Sequence, residues 1–159
     1  MILLADANIL FDFGWVDQGL QHLAALGPLE VLENVRAEIR EPDILQVLQD
    51  LGVRFVPLED AWEADLREAK RGGLSLPDAT CLVYAKRSGR TVLTSERRLR
   101  ERCQAENVEV HGSLWVVDQL YRQGQWESAT LCRWLTTWEE QGARLPPGAL
   151  AELRRTLRC

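Results

Sequence analysis

Three acids sit where a strand ends or a helix begins, Asp6, Asp78 and Glu96, and a fourth, Glu38, could reach the same edge of the sheet. Asp6 closes the apolar run Met1-Ile-Leu-Leu-Ala. A run this short reads as a strand buried on both faces, as in a parallel sheet. Ligands of open α/β sheets lie outside the carboxyl ends of the strands, which is where Asp6 falls. Asp78 follows Leu74-Ser-Leu-Pro in the first turn of an expected helix, and Ser95 with Glu96 opens the helix after the Thr91–Thr94 strand. Glu38 is expected on the helix after the second strand. Carboxylates cannot ionise side by side without a cation. Oxygen ligands without cysteine or histidine favour Mg²⁺ or Mn²⁺ over zinc. Such ions polarise phosphoryl oxygens and activate water for in-line attack. Taken singly, Asp78 and Glu96 are ordinary helix-terminal acids and Glu38 an ordinary exposed glutamate. Asp6 is harder to dismiss, because an acid ending a buried strand needs a partner.

The elements that must position these acids follow from punctuation and periodicity. Strands are expected at Leu29–Leu32, Val53–Pro57, Thr91–Thr94 and Val108–Val110, in addition to the first. The stretch Asn8 to Phe13 is apolar and compact, and Asp17 is placed to cap a helix over Gln18–Leu26. Asn34 is placed to cap the helix carrying Glu38, and further helices are expected over 43–51, 60–71, 78–88, 96–105 and 113–120. Alternating strand and helix argue for α/β architecture, a three-layer sandwich with a central, mainly parallel sheet flanked by helices. From Gln125 onward the chain reads as helix only, so residues 1–124 form the α/β domain and 125–159 a C-terminal helical extension packed on it. The stripe Leu131, Trp134, Leu135 and Trp138 needs burial, in the core or against a second copy. Together with Trp62 it makes a homodimer an expectation.

The totals narrow the classes. A chain of 159 residues with 46% hydrophobic and 27% charged residues is one globular domain with a proper core. The net charge of −5 counts mildly against a nucleic-acid partner, although clustered acids at a metal site account for part of it. Cys81, Cys103, Cys132 and Cys159 form no C-x-x-C pair and stand in no zinc spacing with His22 or His111. Their scatter, with no secretory signal, points to reduced thiols in a cytoplasmic protein. No apolar run reaches membrane-spanning length. A phospho-acceptor site built on Asp6 wants a second acid two residues on, and Asn8 stands there.

Several segments together resemble the PIN-domain family, including its VapC-like toxin ribonucleases. Leu4-Ala-Asp6-Ala-Asn8-Ile-Leu10 looks like the family's opening motif, with its aspartate and supporting Asn. Val35-Arg-Ala-Glu38-Ile39 resembles the segment with a helical glutamate, and Gly73-Leu-Ser-Leu-Pro-Asp78-Ala79 the segment with the third acid. Val92-Leu-Thr94-Ser-Glu96-Arg-Arg-Leu99 is similar to the fourth motif, and Val110-His-Gly112-Ser-Leu114 to the stretch that follows. The resemblance implies a PIN-like fold and a metal-dependent endoribonuclease, often the toxin of a toxin–antitoxin pair. It implies that Asp6, Glu38, Asp78 and Glu96 hold Mg²⁺ or Mn²⁺ and do the catalysis, with Asn8, Thr94 and Ser95 in support. RNA and an antitoxin protein are the implied partners, with no membrane. The fourth motif usually carries aspartate, whereas this chain has Ser95 and Glu96. That departure motivates an alternative, a catalytically impaired PIN-like module that binds RNA or a protein partner.

Lys86, Arg87, Arg90, Arg97, Arg98, Arg100 and Arg102 crowd into the sequence around Glu96. Cations there could neutralise phosphates without reading sequence, so Lys86, Arg87, Arg97 and Arg98 are expected RNA contacts. The ordinary reading is a solvated helix face. His111 is expected to be structural, since nothing pairs it with a nucleophile.

Overall fold

Strand β1 (Leu3–Ala5) is buried along its whole length. It lies at the centre of the sheet in the computed structural model, which describes Met1 to Cys159. The five strands run in the order β3 (Arg54–Val56), β2 (Leu29–Leu32), β1, β4 (Thr91–Leu93), β5 (Val110–His111). Every neighbouring pair is parallel. β1 and β4 carry no polar–apolar alternation because helices cover both faces of the sheet. The chain builds outward from β1 through β2 to β3, then returns to the other side of β1 for β4 and β5. The order therefore reverses between β1 and β4, and the crevice beyond their carboxyl ends is the place such sheets use for ligands. Ala5 pairs with Leu93, and the Asp6 amide donates to the Leu93 carbonyl at 3.0 Å, so Asp6 and Thr94 emerge side by side.

The apolar stretch Asn8–Phe13 proves to be most of helix α1 (Ala7–Gly14), which starts one residue after β1. Ile9, Leu10 and Phe13 turn into the core, fully buried. Helix α2 (Gly19–Ala25) is not capped by Asp17: Gln18 precedes it at φ 54° with no side-chain cap. A Cβ on Gly19 would sit 2.1 Å from the Phe13 carbonyl, so a tight backbone approach sets this helix start. Asn34 likewise lies inside the single turn α3 (Glu33–Arg36), not ahead of it, and its amide donates to Thr80 at 2.9 Å. That turn ends before Glu38, which sits in the following turn and not on a helix.

Helix α4 (Pro42–Asp50) and helix α5 (Glu63–Arg71), preceded by a 3₁₀ turn at Asp60–Trp62, complete the first half. Helix α6 (Leu76–Ser88) is surrounded by protein, with every residue from Ala79 to Ala85 buried. Gly89 ends it at φ 68°, a conformation that favours glycine. Helices α7 (Arg97–Ala105) and α8 (Ser113–Arg122) flank β5 in sequence.

Helices α9 (Ser128–Glu140) and α10 (Pro147–Leu157) fold back onto α1 and α8. Leu131, Trp134, Leu135 and Trp138 are buried there, and Trp62 is buried elsewhere in the same chain. Trp138 donates its indole N–H to the Asp12 carbonyl at 2.8 Å and meets Phe13 edge-on at 5.2 Å. The stripe is thus satisfied within one chain, and it gives no argument for a homodimer. The same folding brings the last residue beside α9, where Cys159 forms a disulfide with Cys132, their Cα atoms 6.0 Å apart. Only Cys81 and Cys103 are free thiols, so the expectation of four reduced cysteines fails, and with it the thiol argument for a cytoplasmic location. No helix is long and apolar enough to cross a membrane.

Candidate acidic site

Asp6 is nine-tenths or more buried at the β1–β4 switch point. One carboxylate oxygen accepts the Ala7 amide at 2.7 Å, and the other accepts the Thr94 hydroxyl at 2.8 Å. Thr94 in turn accepts the Glu96 amide at 3.0 Å, so one buried hydroxyl orients both Asp6 and the start of α7. Burial pushes the Asp6 carboxyl up to about 6; the Thr94 and Ala7 bonds oppose this, and the charges of Asp78 and Glu96 add to it. Asp78 reaches the same place from the first turn of α6, where the Ser75 hydroxyl caps the helix by accepting the Asp78 amide at 3.3 Å. Burial, then the Glu96 charge, raises Asp78 against the pull of Ser75. Glu38 extends from its turn toward Asp78. Partial desolvation and the Asp78 charge raise it, though its side chain stays open to solvent.

Asp6, Glu38, Asp78 and Glu96 line one hollow of about 390 Å³ with Asn8, Phe11, Ser75 and Pro77. No lysine or arginine lines it, and none of the four carboxylates forms an ion pair. No three of them stand close enough to make a ready-closed cage. Glu96 is instead turned onto the side-chain amide of Asn8, a reach that the extra methylene of glutamate permits. The donor set still fits a hard divalent cation: oxygen only, mutually repelling, and open to solvent on the Glu38 side. Cys81 lies buried close to Asp6 and Asp78, its thiol pushed far up by burial first and by their charges next, which makes it inert as a nucleophile.

The structure brings together Asp6, Asn8, Glu38, Asp78, Thr94 and Glu96 from the expected set. Ser95 is exposed and lines a neighbouring groove, not the acidic hollow. The expected cationic patch does not hold together. Lys86 and Arg87 sit in the last turn of α6, roughly 12 Å along the helix from Asp78 at 1.5 Å per residue. They are paired there with Glu106 and Asp65. Arg98 points to a separate hollow beside Gly72 and Gly73. Arg97 lines the groove next to the acids but is engaged by Glu101 at 2.8 Å. His111 stacks on Trp115 at 4.0 Å and bonds Glu109, a structural role as expected.

Ser75 is not among the expected site residues, nor are Asp12, Trp15 and Arg144 in the adjoining groove, which Arg100 of the expected cationic crowd also lines. A signal existed for two of them. Asn8, Phe11, Asp12 and Trp15 follow i, i+3, i+4, i+7, one face of α1. Arg144 carried no local signal, because only the folding-back of the extension places it.

The fold is thus a parallel α/β sheet with unpaired carboxylates at its switch point. The chain belongs to the PIN-domain family: the model of DUF3368, a PIN domain, matches residues 3–158. That match continues through α9 and α10. PIN domains are typically nucleases that act on phosphodiester bonds, and the nucleases of the family generally use divalent metal ions and bind RNA. Among solved structures, the chain is similar to the crystal structure of PAE2754 from Pyrobaculum aerophilum. Identity is 18%, over 79% of this chain and 91% of that one, with a TM-score of 0.50, a likeness of fold alone. None of the curated proteins matches the chain.

Proposed function

We propose that the chain is a Mg²⁺- or Mn²⁺-dependent endoribonuclease whose acidic hollow is the catalytic centre. The observation that carries this reading is four carboxylates lining one hollow without a single compensating cation. Such a set is stable only if protons or a metal neutralise it. Asp6, Asp78, Glu38 and Glu96 would hold the ion. Asp6 is the fixed member, because Thr94 and the Ala7 amide lock its orientation. Glu96 would have to leave Asn8 to join it, and Asn8 is then free to donate to a substrate oxygen. When bound, the ion polarises a phosphoryl oxygen and activates a water for in-line attack. The test is cleavage of RNA with and without Mn²⁺, in the wild type and in Asp6→Asn and Asp78→Asn. Each variant is expected to lose at least about 100-fold in rate, since transition-state charge stabilisation of this kind is worth several kcal/mol.

The engagement of Glu96 by Asn8 favours a second reading, an impaired module that binds RNA without cutting it. The same assay separates the two, because the module binds RNA but yields no metal-dependent products. The toxin role is the finer part of the first reading. It predicts growth arrest on expression, relieved by a partner protein that places a basic side chain over the acidic hollow.

A further inference from the structure

The four carboxylates of the acidic hollow are not held equally. The Asp6 oxygens are fixed by the Ala7 amide and the Thr94 hydroxyl, and Glu96 is engaged by Asn8. Asp78 rides on the first turn of α6, which Ser75 caps. No hydrogen bond acts on the Glu38 carboxylate, which feels only partial desolvation and the Asp78 charge. Its backbone alone must place it. That backbone is one hydrogen-bonded piece with α3: the Ala37 amide donates to the Glu33 carbonyl at 3.1 Å, Glu38 to Val35 at 3.0 Å and Ile39 to Arg36 at 3.0 Å. Val35 and Ile39 anchor the piece in the core, and the Arg36 guanidinium lies 4.5 Å over the Phe55 ring of β3. Toward α6 it has a different anchor. The Asn34 amide donates to the Thr80 hydroxyl at 2.9 Å, the one side-chain hydrogen-bonded pair between residues 33–39 and α6.

Thr80 is fully buried, two residues beyond Asp78. Its hydroxyl has a single proton, which goes to the Pro77 carbonyl at 2.7 Å, one turn back in the helix. The hydroxyl oxygen is then an acceptor for Asn34. Pro77 lines the acidic hollow beside Asp78. The tie therefore runs from the Glu38 turn through Thr80 into the turn that carries Asp78. Glu38 and Asp78 repel each other when no cation lies between them, and the tie resists that separation. For packing alone, valine would fill the same space at position 80.

We propose that Asn34 and Thr80 are positioning residues that hold Glu38 within reach of an ion bound at Asp6 and Asp78, and so set the affinity of the hollow for a divalent cation. The proposal rests on the metal-dependent reading of the hollow and adds two residues from outside its lining.

The test is calorimetric titration of the metal-free full chain with MnCl₂. Thr80→Val should bind about tenfold more weakly than wild type, the lower end of what loss of an outer support costs a metal site. Thr80→Ser, which keeps the hydroxyl, should recover most of the affinity, and Asn34→Ala should match Thr80→Val. The decisive readout is the double-mutant cycle with Glu38. In a Glu38→Gln background, Thr80→Val should cost less than about twofold, because the tie has no carboxylate left to position. A merely structural role predicts the same loss with or without the Glu38 carboxylate. That additivity would overturn the proposal, as would wild-type affinity in folded Thr80→Val or in Asn34→Ala. Asn34 is only half-buried, so Asn34→Ala carries the test, in the same cycle, if Thr80→Val fails to fold. Absence of Mn²⁺ binding by wild type would instead overturn the metal-dependent reading itself, and this proposal with it.

Discussion

Asp6 carries a cost that only a proton or a cation relieves. Its carboxyl is pushed to about 6 from 3.8, so the folded chain holds an extra proton between those values. Folding stability of the metal-free protein therefore falls as pH rises through that window and stays lowered above it. Asp78 and Glu38 are raised as well, and act in the same direction. Asp6→Asn should accordingly stabilise the metal-free protein above pH 6 by up to roughly 3 kcal/mol, at about 1.36 kcal/mol per pKa unit, and so raise its melting temperature. The gain should shrink toward pH 4, where wild-type Asp6 is largely protonated. Thermal melts across pH read this directly, and a variant less stable than wild type at pH 7.5 would count against the proposed electrostatics. Added Mn²⁺ should stabilise wild type and leave Asp6→Asn nearly unmoved. Glu96→Asp removes the methylene that reaches Asn8, and its cleavage rate should rise; a fall of tenfold or more would show that the longer acid is required.

At the scale of elements, the site depends on α1 being pinned from both ends. Asp6 caps its start, while Trp138 of α9 bonds the Asp12 carbonyl and packs on Phe13. Trp138→Ala should cost about 3–5 kcal/mol, as large-to-small changes of buried tryptophan do, measured by denaturant unfolding. The Cys132–Cys159 bond ties the hairpin of α9 and α10 across 27 residues. By loop-closure entropy alone, Cys132→Ser should destabilise by at most about 3.5 kcal/mol. A loss near zero would mean that α9–α10 packing already confines the reduced chain. The elements that the sequence disclosed are those with a local cause: the buried run before Asp6, Ser75-Leu-Pro opening α6, Gly89 closing it. Asp17 and Asn34 misled because capping competence was read without the turn geometry. Tight approach at Gly19 sets α2, and the Asn34 amide is drawn to Thr80, 46 residues away. Glu38 kept its place in the hollow although its helix stops early, since position along the chain mattered more than helicity.

Across the whole molecule, the acids were legible because strand ends in a parallel sheet share one edge, a rule that needs no contacts. The cations were not, because their pairing is settled by residues far away in sequence. Asp65 takes Arg87, Glu106 takes Lys86 and Arg102, and Glu30 takes Arg90. What stays unpaired beside the acids is Arg100 and, from the far end of the chain, Arg144. The net charge of −5 thus goes with a negative hollow beside which two arginines stay unpaired. The family match from residue 3 to 158 spans both. The most direct measurement is cleavage of an end-labelled single-stranded RNA by the full chain, with Mn²⁺ or EDTA, comparing wild type with Asp6→Asn. The account predicts internal cleavage products with wild type and Mn²⁺ alone. Products that persist in EDTA, or that form equally with Asp6→Asn, would contradict it.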